Sequence, residues 1–154
     1  MLTGHQDDVC AVACVILDGQ SVAITASHSG RLHGITHPPT YYTPGKGTVL
    51  VWDLASGARI ATLSHHNEVR AVACVTIDGR LIAVTAGGDE TASVWDIAAG
   101  KVLATLTGHR NRVRAVACAI LDGQPVAVTA SADDTVRIWD LTNYSELEQL
   151  DLLG

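Results

Sequence analysis

Apolar residues alternate with polar or small residues in short runs along this chain, and turn residues interrupt the runs every eight to twelve positions. The pattern is clearest near the C-terminus, where the runs cover residues 113–121, 125–131, 135–141 and, more weakly, about 145–150. Period-two alternation and many β-branched residues favour strands, and helical spacing fits these runs poorly. The pattern therefore predicts four consecutive short β-strands in this part of the chain.

The same four-strand pattern occurs three times. The letters AVAC occur at 11–14, 71–74 and 115–118, and a Trp-Asp pair closes the third strand of each copy, with the Trp residues 43 and 44 positions apart. Each copy also has an Asp-Gly pair between its first and second strands, which a tight hairpin turn with positive φ favours. These pairs are Asp18-Gly19, Asp78-Gly79 and Asp122-Gly123.

The first copy is about 17 residues longer than the other two, and the excess lies within residues 29–47. A loop of this length on a compact scaffold is usually functional or disordered. Three interpretations stay open: contact with a partner through Tyr41 and Tyr42, a tolerated disordered insertion, or metal binding by His28, His33 and His37. The histidine spacing suits a loop site but matches no known motif.

Composition narrows the functional classes. The chain has 154 residues, a net charge of −6, 47% hydrophobic residues and a mean hydropathy of +0.24. The acidic balance argues against nucleic acid as a partner, and no apolar run approaches the roughly 18 residues of a membrane span. Four Cys without a visible signal peptide are typical of reduced thiols, so we expect a cytoplasmic protein that binds neither nucleic acid nor membrane.

The segments LTGH, VRAVAC, DG, VAVTAS, DDTVRIWD and GKVLATLTGH together resemble the WD40 repeat, in particular its bacterial tandem-repeat form. The resemblance covers almost the whole chain apart from the insertion and a degraded tail. It implies an all-β fold, an incomplete β-propeller of three four-stranded antiparallel blades. The single domain, 1–154, is expected to contain blade 1 at about 5–64, with the insertion at 29–47, blade 2 at about 65–107 and blade 3 at about 108–154.

The resemblance also implies a buried hydrogen-bond network in each blade. It joins a His before the first strand, a Thr on the second strand, an Asp in the following turn and the Trp of the third strand. The first copy has no acid between Asp18 and Asp53, so His5 is expected to lack its partner. The expected members are His5, Thr25 and Trp52; His65 (or His66 in its place), Thr85, Asp89 and Trp95; and His109, Thr129, Asp133 and Trp139.

Two other groups of residues are candidates for chemistry. Cys14, Cys74 and Cys118 occupy one repeat position in an apolar strand, and we interpret them as small core residues and not as zinc ligands. Arg110, Arg112 and Arg114 form a basic patch in a loop leading into a first strand. This patch is either a solvated loop or a contact site for an acidic partner or phosphate.

The sequence thus predicts a non-enzymatic scaffold for protein–protein contacts, without a cofactor. Propellers typically close with four to eight blades, and this chain encodes three. Three routes would cover the two end blades: a longer repeat protein of which this is a fragment, a homo-oligomeric six-bladed ring of two copies, or blades from another protein. The alternatives are a metal-dependent or hydrolytic enzyme using the His-rich loop face, and a non-functional truncated gene product.

Overall fold

The computed structural model describes residues 1–28, 31–33, 41–43, 46–65 and 67–151. All regular secondary structure in these ranges is β-strand, which confirms the predicted all-β class. The described residues include no helix that could cross a lipid bilayer.

The first sheet is interrupted by the insertion. Its four antiparallel strands lie in the order β1-β2-β5-β6, and a separate two-stranded hairpin, β3-β4, falls between β2 and β5 along the chain. His28 at the end of β2 pairs directly with Gly47 at the start of β5. The insertion therefore replaces the turn between the second and third strands of this sheet. The strands are β1 Asp8–Leu17, β2 Gln20–His28, β3 Arg31–His33, β4 Tyr41–Thr43, β5 Gly47–Asp53 and β6 Arg59–His65.

The second and third sheets repeat this order without an insertion. Each consists of four antiparallel strands joined by short turns. The predicted strands of the third copy agree with the observed ones to within one residue at each end. The strands are β7 Val69–Ile77, β8 Arg80–Gly87, β9 Ala92–Asp96 and β10 Lys101–Leu106 in the second sheet, and β11 Val113–Leu121, β12 Gln124–Ser131, β13 Thr135–Asp140 and β14 Glu146–Asp151 in the third.

The three Asp-Gly pairs adopt the backbone conformation that their chemistry predicts. Asp18, Asp78 and Asp122 each have a φ of 49°, and the glycine that follows each of them has a φ between 74° and 79°. Positive φ at both central residues is the type I′ arrangement, whose twist matches that of a hairpin. The predicted hairpin turns are confirmed.

The sheets pack face to face in chain order, with β1 beside β7 and β7 beside β11. The first hydrophobic core joins Ile24 and Val51 of the first sheet to Trp95 of the second. The second core joins Val84 of the second sheet to Trp139 of the third. Each interface thus brings an aliphatic face against a face that carries a Trp. The result is an unclosed stack of three blades, as predicted for an incomplete propeller.

Among the described residues, one face at each end of the stack has no neighbouring sheet. On the first sheet this is the face that carries Trp52, and Val12 is 64% exposed there whereas the equivalent Val72 inside the stack is 7% exposed. We name it the open Trp face. On the third sheet, four aliphatic residues are half-buried although their equivalents in the first sheet are buried. We name this the open aliphatic face, formed by Val128, Ala130, Val136 and Ile138, the equivalents of Ile24, Ala26, Val49 and Val51.

Candidate functional site

The expected polar network is complete in the third sheet. Trp139 donates its indole N–H to the hydroxyl of Thr129 at 2.9 Å, and His109 Nε2 lies 2.7 Å from the same oxygen. His109 Nδ1 lies 3.0 Å from a carboxylate oxygen of Asp133. Thr129 is fully buried, so each of its hydrogen bonds replaces water that it has lost.

The partners assign the tautomer of His109. Because the Thr129 oxygen already accepts the indole N–H, its single O–H is free to donate to Nε2 of the imidazole. Nδ1 then carries the proton and donates it to Asp133. The chain of bonds runs in one direction, from Trp139 through Thr129 and His109 to the carboxylate, and every donor has an acceptor.

Asp133 is the anchor of this network. Burial would raise the pKa of its carboxyl, but hydrogen bonds from the Thr135 hydroxyl, the Arg110 amide, His109 and the Thr135 amide outweigh burial and hold the pKa well below its usual range. The four donors lie between 2.6 and 3.0 Å from the two carboxylate oxygens. The ionised form therefore stabilises the loop before β11 and the turn before β13.

The first sheet has the same network with a different terminal group. Trp52 donates to Thr25 at 2.8 Å, and His5 Nε2 lies 2.6 Å from that hydroxyl. His5 Nδ1 lies 2.7 Å from the hydroxyl of Ser27. The first copy has no acid at this point, as the sequence indicates, and the Ser27 hydroxyl occupies the place that Asp133 has in the third copy. Burial lowers the pKa of His5, an effect that Asp7 partly opposes.

The network of the second sheet follows another route. Trp95 donates to Thr85 at 2.9 Å, as in the other sheets. His65 Nδ1 donates to the carbonyl oxygen of Asn67 at 3.2 Å, and the Asn67 amide donates to Asp89 at 2.9 Å. Asn67 thus lies between His65 and Asp89, which the resemblance had led us to expect in direct contact. The alternative residue His66 lies outside the described residues.

Glycine precedes the network histidine in the first and third copies for a steric reason. Gly4 and Gly108 have φ values of +154° and +152°. A Cβ at Gly4 would lie 3.3 Å from the Trp52 ring, and one at Gly108 would lie 2.7 Å from a guanidinium nitrogen of Arg137. The Gly-His pair therefore lets the backbone pass close to the indole while the imidazole reaches the threonine.

The cysteines are more exposed than the sequence indicated. All four thiols are free, Cys14 is exposed, and Cys74 and Cys118 are half-buried. Burial, with a smaller contribution from the neighbouring thiol, raises the pKa of Cys74 to about 11 and that of Cys118 to about 12. The core assignment of Cys14 is wrong because its side chain lies on β1, on the face of the first sheet that meets no other sheet among the described residues. In the described ranges no three His, Cys, Asp or Glu side chains are grouped as a metal site.

Only two of the three arginines of the predicted basic patch lie at the same cavity. Arg112 and Arg114 line an open cavity of about 450 Å³, together with Cys10, His28 and Arg70, whereas Arg110 does not. Cys10 and Arg70 are lining residues that sequence reasoning did not assign to this site. Their only signal was that Cys10, Arg70 and Arg114 occupy the same position in the three copies.

The residues of the insertion are placed only in part. Tyr41 pairs with His33, and Tyr42 with Leu32, in the short hairpin β3-β4. His37 lies outside the described residues. The roles suggested for the two tyrosines, and for His28, His33 and His37 as metal ligands, stay predictions.

The fold, together with the Trp–Thr hydrogen bond that recurs in each sheet, defines the class of protein: an all-β, incomplete propeller. A profile of the WD40 family, described as WD domain, G-beta repeat, matches residues 57–96 and 100–140, which is more than half of the chain. The chain therefore belongs to the WD40 repeat family. The profile matches two repeats, so a third repeat, like the blade boundaries, stays a prediction. Each match begins near the outer strand of one sheet and ends in the third strand of the next.

Solved structures of WD40 proteins share this fold. "Structure of U3-55K" superposes with a TM-score of 0.73 at 20% identity and covers 97% of this chain and 41% of that one. "Crystal structure of RRP9 WD40 repeats" superposes with a TM-score of 0.72 at 21% identity and covers 97% and 40%. The chain thus spans about two-fifths of the length of these two structures. No curated protein sequence matches it.

Proposed function

We propose that this chain is a non-enzymatic scaffold for protein–protein contacts, completed by further propeller blades that pack on its two open faces. The blades come from a longer protein of which this chain is a part, or from a second copy of the chain. WD40 propellers are generally interaction scaffolds, and the four free thiols favour a cytoplasmic location.

The observation that carries the proposal is the unequal burial of equivalent residues. Val12 is 64% exposed, whereas Val72, which occupies the same position inside the stack, is 7% exposed. Ile24 and Val84 are fully buried by the next sheet, whereas Val128 is half-buried. Apolar side chains that are more exposed at the ends of the stack than at equivalent positions inside it are typical of an interaction site.

The two open faces also complement each other. Inside the chain, an aliphatic face packs against a Trp-bearing face at both interfaces. The open aliphatic face and the open Trp face are one of each kind. A second copy can therefore offer each face the type of surface that it meets inside the chain, and two head-to-tail contacts between two copies give six blades.

The polar networks support a structural role over catalysis. The Thr129 hydroxyl is fully buried and already bonded to both Trp139 and His109, so it is not available as a nucleophile. The Trp–Thr bond recurs in all three sheets. A group that repeats in every sheet and is enclosed by the core suits a device that orders each blade.

The test is the mass in solution by light scattering as protein concentration increases, for the wild type and three valine variants. Val12→Asp and Val128→Asp place a charge on the open Trp face and on the open aliphatic face, respectively. Val102→Asp is the matched control, since Val102 is 48% exposed on β10 of the middle sheet, which has a neighbour on both sides. We expect association of the wild type and the control, and about tenfold weaker association of each face variant.

A mixture of Val12→Asp and Val128→Asp then identifies a second copy as the occupant. Each variant keeps one intact face, and the two intact faces are complementary, so the mixture is expected to form a heterodimer through one contact. A folded wild-type monomer at every concentration, with no difference among the variants, contradicts the proposal.

A further inference from the structure

The arginine-lined cavity is built from one backbone irregularity that occurs three times. Strand pairing skips a residue between Val9 and Ala11 in β1, and the equivalent skips occur in β7 and β11. The skipped residues are Cys10, Arg70 and Arg114. A β-bulge leaves its extra residue unpaired and redirects the side chain, and here all three side chains line the same cavity.

The cavity has an excess of positive charge. Arg70 forms an ion pair with Glu68 at 2.9 Å, and Glu68 is buried. Within the described residues, the guanidinium groups of Arg112 and Arg114 have no hydrogen bond or ion pair. Two uncompensated cations thus face one cavity in a chain whose net charge is −6. An anion bound between them would be attracted by both.

The backbone holds this charged surface in place. The carbonyl oxygen of Arg112 accepts hydrogen bonds from the Ser131 hydroxyl and the Ala132 amide, both at 3.0 Å. Val113, between the two arginines, is fully buried. Because the loop is fixed at both points, the arginine side chains extend from a rigid base, as a binding site requires.

We propose that this cavity binds the carboxylate side chains of an acidic peptide segment of a partner protein. The inference rests on the proposed scaffold function and names the class of partner. Guanidinium groups bind carboxylates through paired, charge-assisted hydrogen bonds, and a volume of about 450 Å³ suits a few side chains. A nucleic acid needs many phosphate contacts over a broad basic surface, whereas this cavity is lined by three arginines in a chain whose net charge is −6.

The test is titration calorimetry with a capped hexaglutamate peptide, and a hexaglutamine peptide as the neutral reference. The variant Arg112→Gln with Arg114→Gln is expected to weaken hexaglutamate binding by about tenfold or more. The matched control is Arg110→Gln with Lys101→Gln, which removes the same charge from exposed positions outside the cavity. The control is expected to change the affinity by less than about threefold. Circular dichroism verifies that each variant is folded.

A gain of affinity provides a second readout. Cys10→Arg places in the first copy the guanidinium that the other two copies have at the bulge, and the folded variant is expected to bind hexaglutamate more tightly than the wild type. Three results overturn the proposal: equal loss in the cavity variant and its control, equal binding of hexaglutamate and hexaglutamine, or weaker hexaglutamate binding by Cys10→Arg.

Inorganic phosphate and single-stranded RNA test whether the cavity prefers an anion other than a carboxylate, with acetate as the reference. Displacement of hexaglutamate by inorganic phosphate at lower concentration than by acetate assigns the cavity to phosphate, and tighter binding of single-stranded RNA assigns it to nucleic acid; either result contradicts the peptide proposal. If the wild type self-associates but does not bind hexaglutamate, only the inference about the cavity is wrong. If the wild type binds hexaglutamate but does not self-associate, only the proposed completion of the propeller is wrong.

Discussion

Replacing Asp133 by Asn isolates the contribution of one buried carboxylate. Each of its two oxygens accepts two bonds: one from the hydroxyl and the amide of Thr135, the other from the Arg110 amide and His109. An asparagine offers one oxygen, and its NH₂ group faces two donors whichever way it is turned. At least one backbone amide, of Thr135 or of Arg110, therefore loses its acceptor.

The expected cost follows from these bonds. A buried donor without an acceptor costs about 1–3 kcal/mol, and each remaining bond loses its charge assistance. We expect Asp133→Asn to lower the free energy of unfolding by about 3 kcal/mol in total. For a domain of this size that lowers the melting temperature by roughly 6–12 °C.

The neighbouring acid is a close control for this change. Asp134 is exposed and has a φ of 65°, a conformation that asparagine tolerates well. Asp134→Asn is therefore expected to change the free energy of unfolding by less than about 0.5 kcal/mol. Urea unfolding of both variants, followed by tryptophan fluorescence, measures the difference. Equal stability of the two variants would show that the carboxylate does not anchor the network.

The pH dependence of the same pair gives an independent measure. Since folding lowers the pKa of Asp133, its ionised form stabilises the fold above the ordinary pKa of an aspartate, about 4, and this contribution is lost as the pH falls towards the folded value. The wild type is expected to lose more stability on acidification below about pH 4 than Asp133→Asn does. Identical acid sensitivity would refute the assignment.

Three further predictions concern the tryptophan of the network, two cysteines and a hairpin glycine. Trp139→Phe removes the donor to Thr129 and leaves a cavity, so we expect a loss of about 2–3 kcal/mol in urea unfolding, and a loss under about 0.5 kcal/mol would contradict the network. Cys74 and Cys118, with pKa values of about 11 and about 12, are expected to react with iodoacetamide at least about tenfold more slowly in the folded chain than in urea, as peptide mass mapping can measure. Gly123→Ala is expected to cost about 1 kcal/mol in thermal unfolding through its φ of +79° alone, because a Cβ there meets no atom within 4 Å.

The strands and turns could be predicted from the sequence because their signals are local. Alternating apolar residues define the strands, and the Asp-Gly pairs define the hairpins, since few other residues accept positive φ at two successive positions. The Trp–Thr bond recurs in all three sheets at the expected positions, because the third and second strands pair in the same register each time.

The errors arose where the environment is set by distant residues. Ser27 takes the place of the acid in the first copy, and the sequence did not mark it because the resemblance supplies only an acid for this role. Cys14 is exposed although its repeat position matches that of Cys74, since identical residues at the end and in the middle of a stack have different neighbours. The bulges that direct Cys10 and Arg70 into one cavity likewise depend on strand pairing.

The boundaries of the sequence repeats do not coincide with the boundaries of the sheets, and this decides where the chain can be truncated. A family repeat such as 57–96 supplies the outer strand β6 to one sheet and the three strands β7, β8 and β9 to the next. A cut at a repeat boundary therefore removes a strand from a sheet whose other strands remain, whereas a cut after Leu106 keeps four-stranded sheets whole. Each of the two matched repeats therefore connects two neighbouring sheets covalently, and the loss of either one removes strands from two sheets at once.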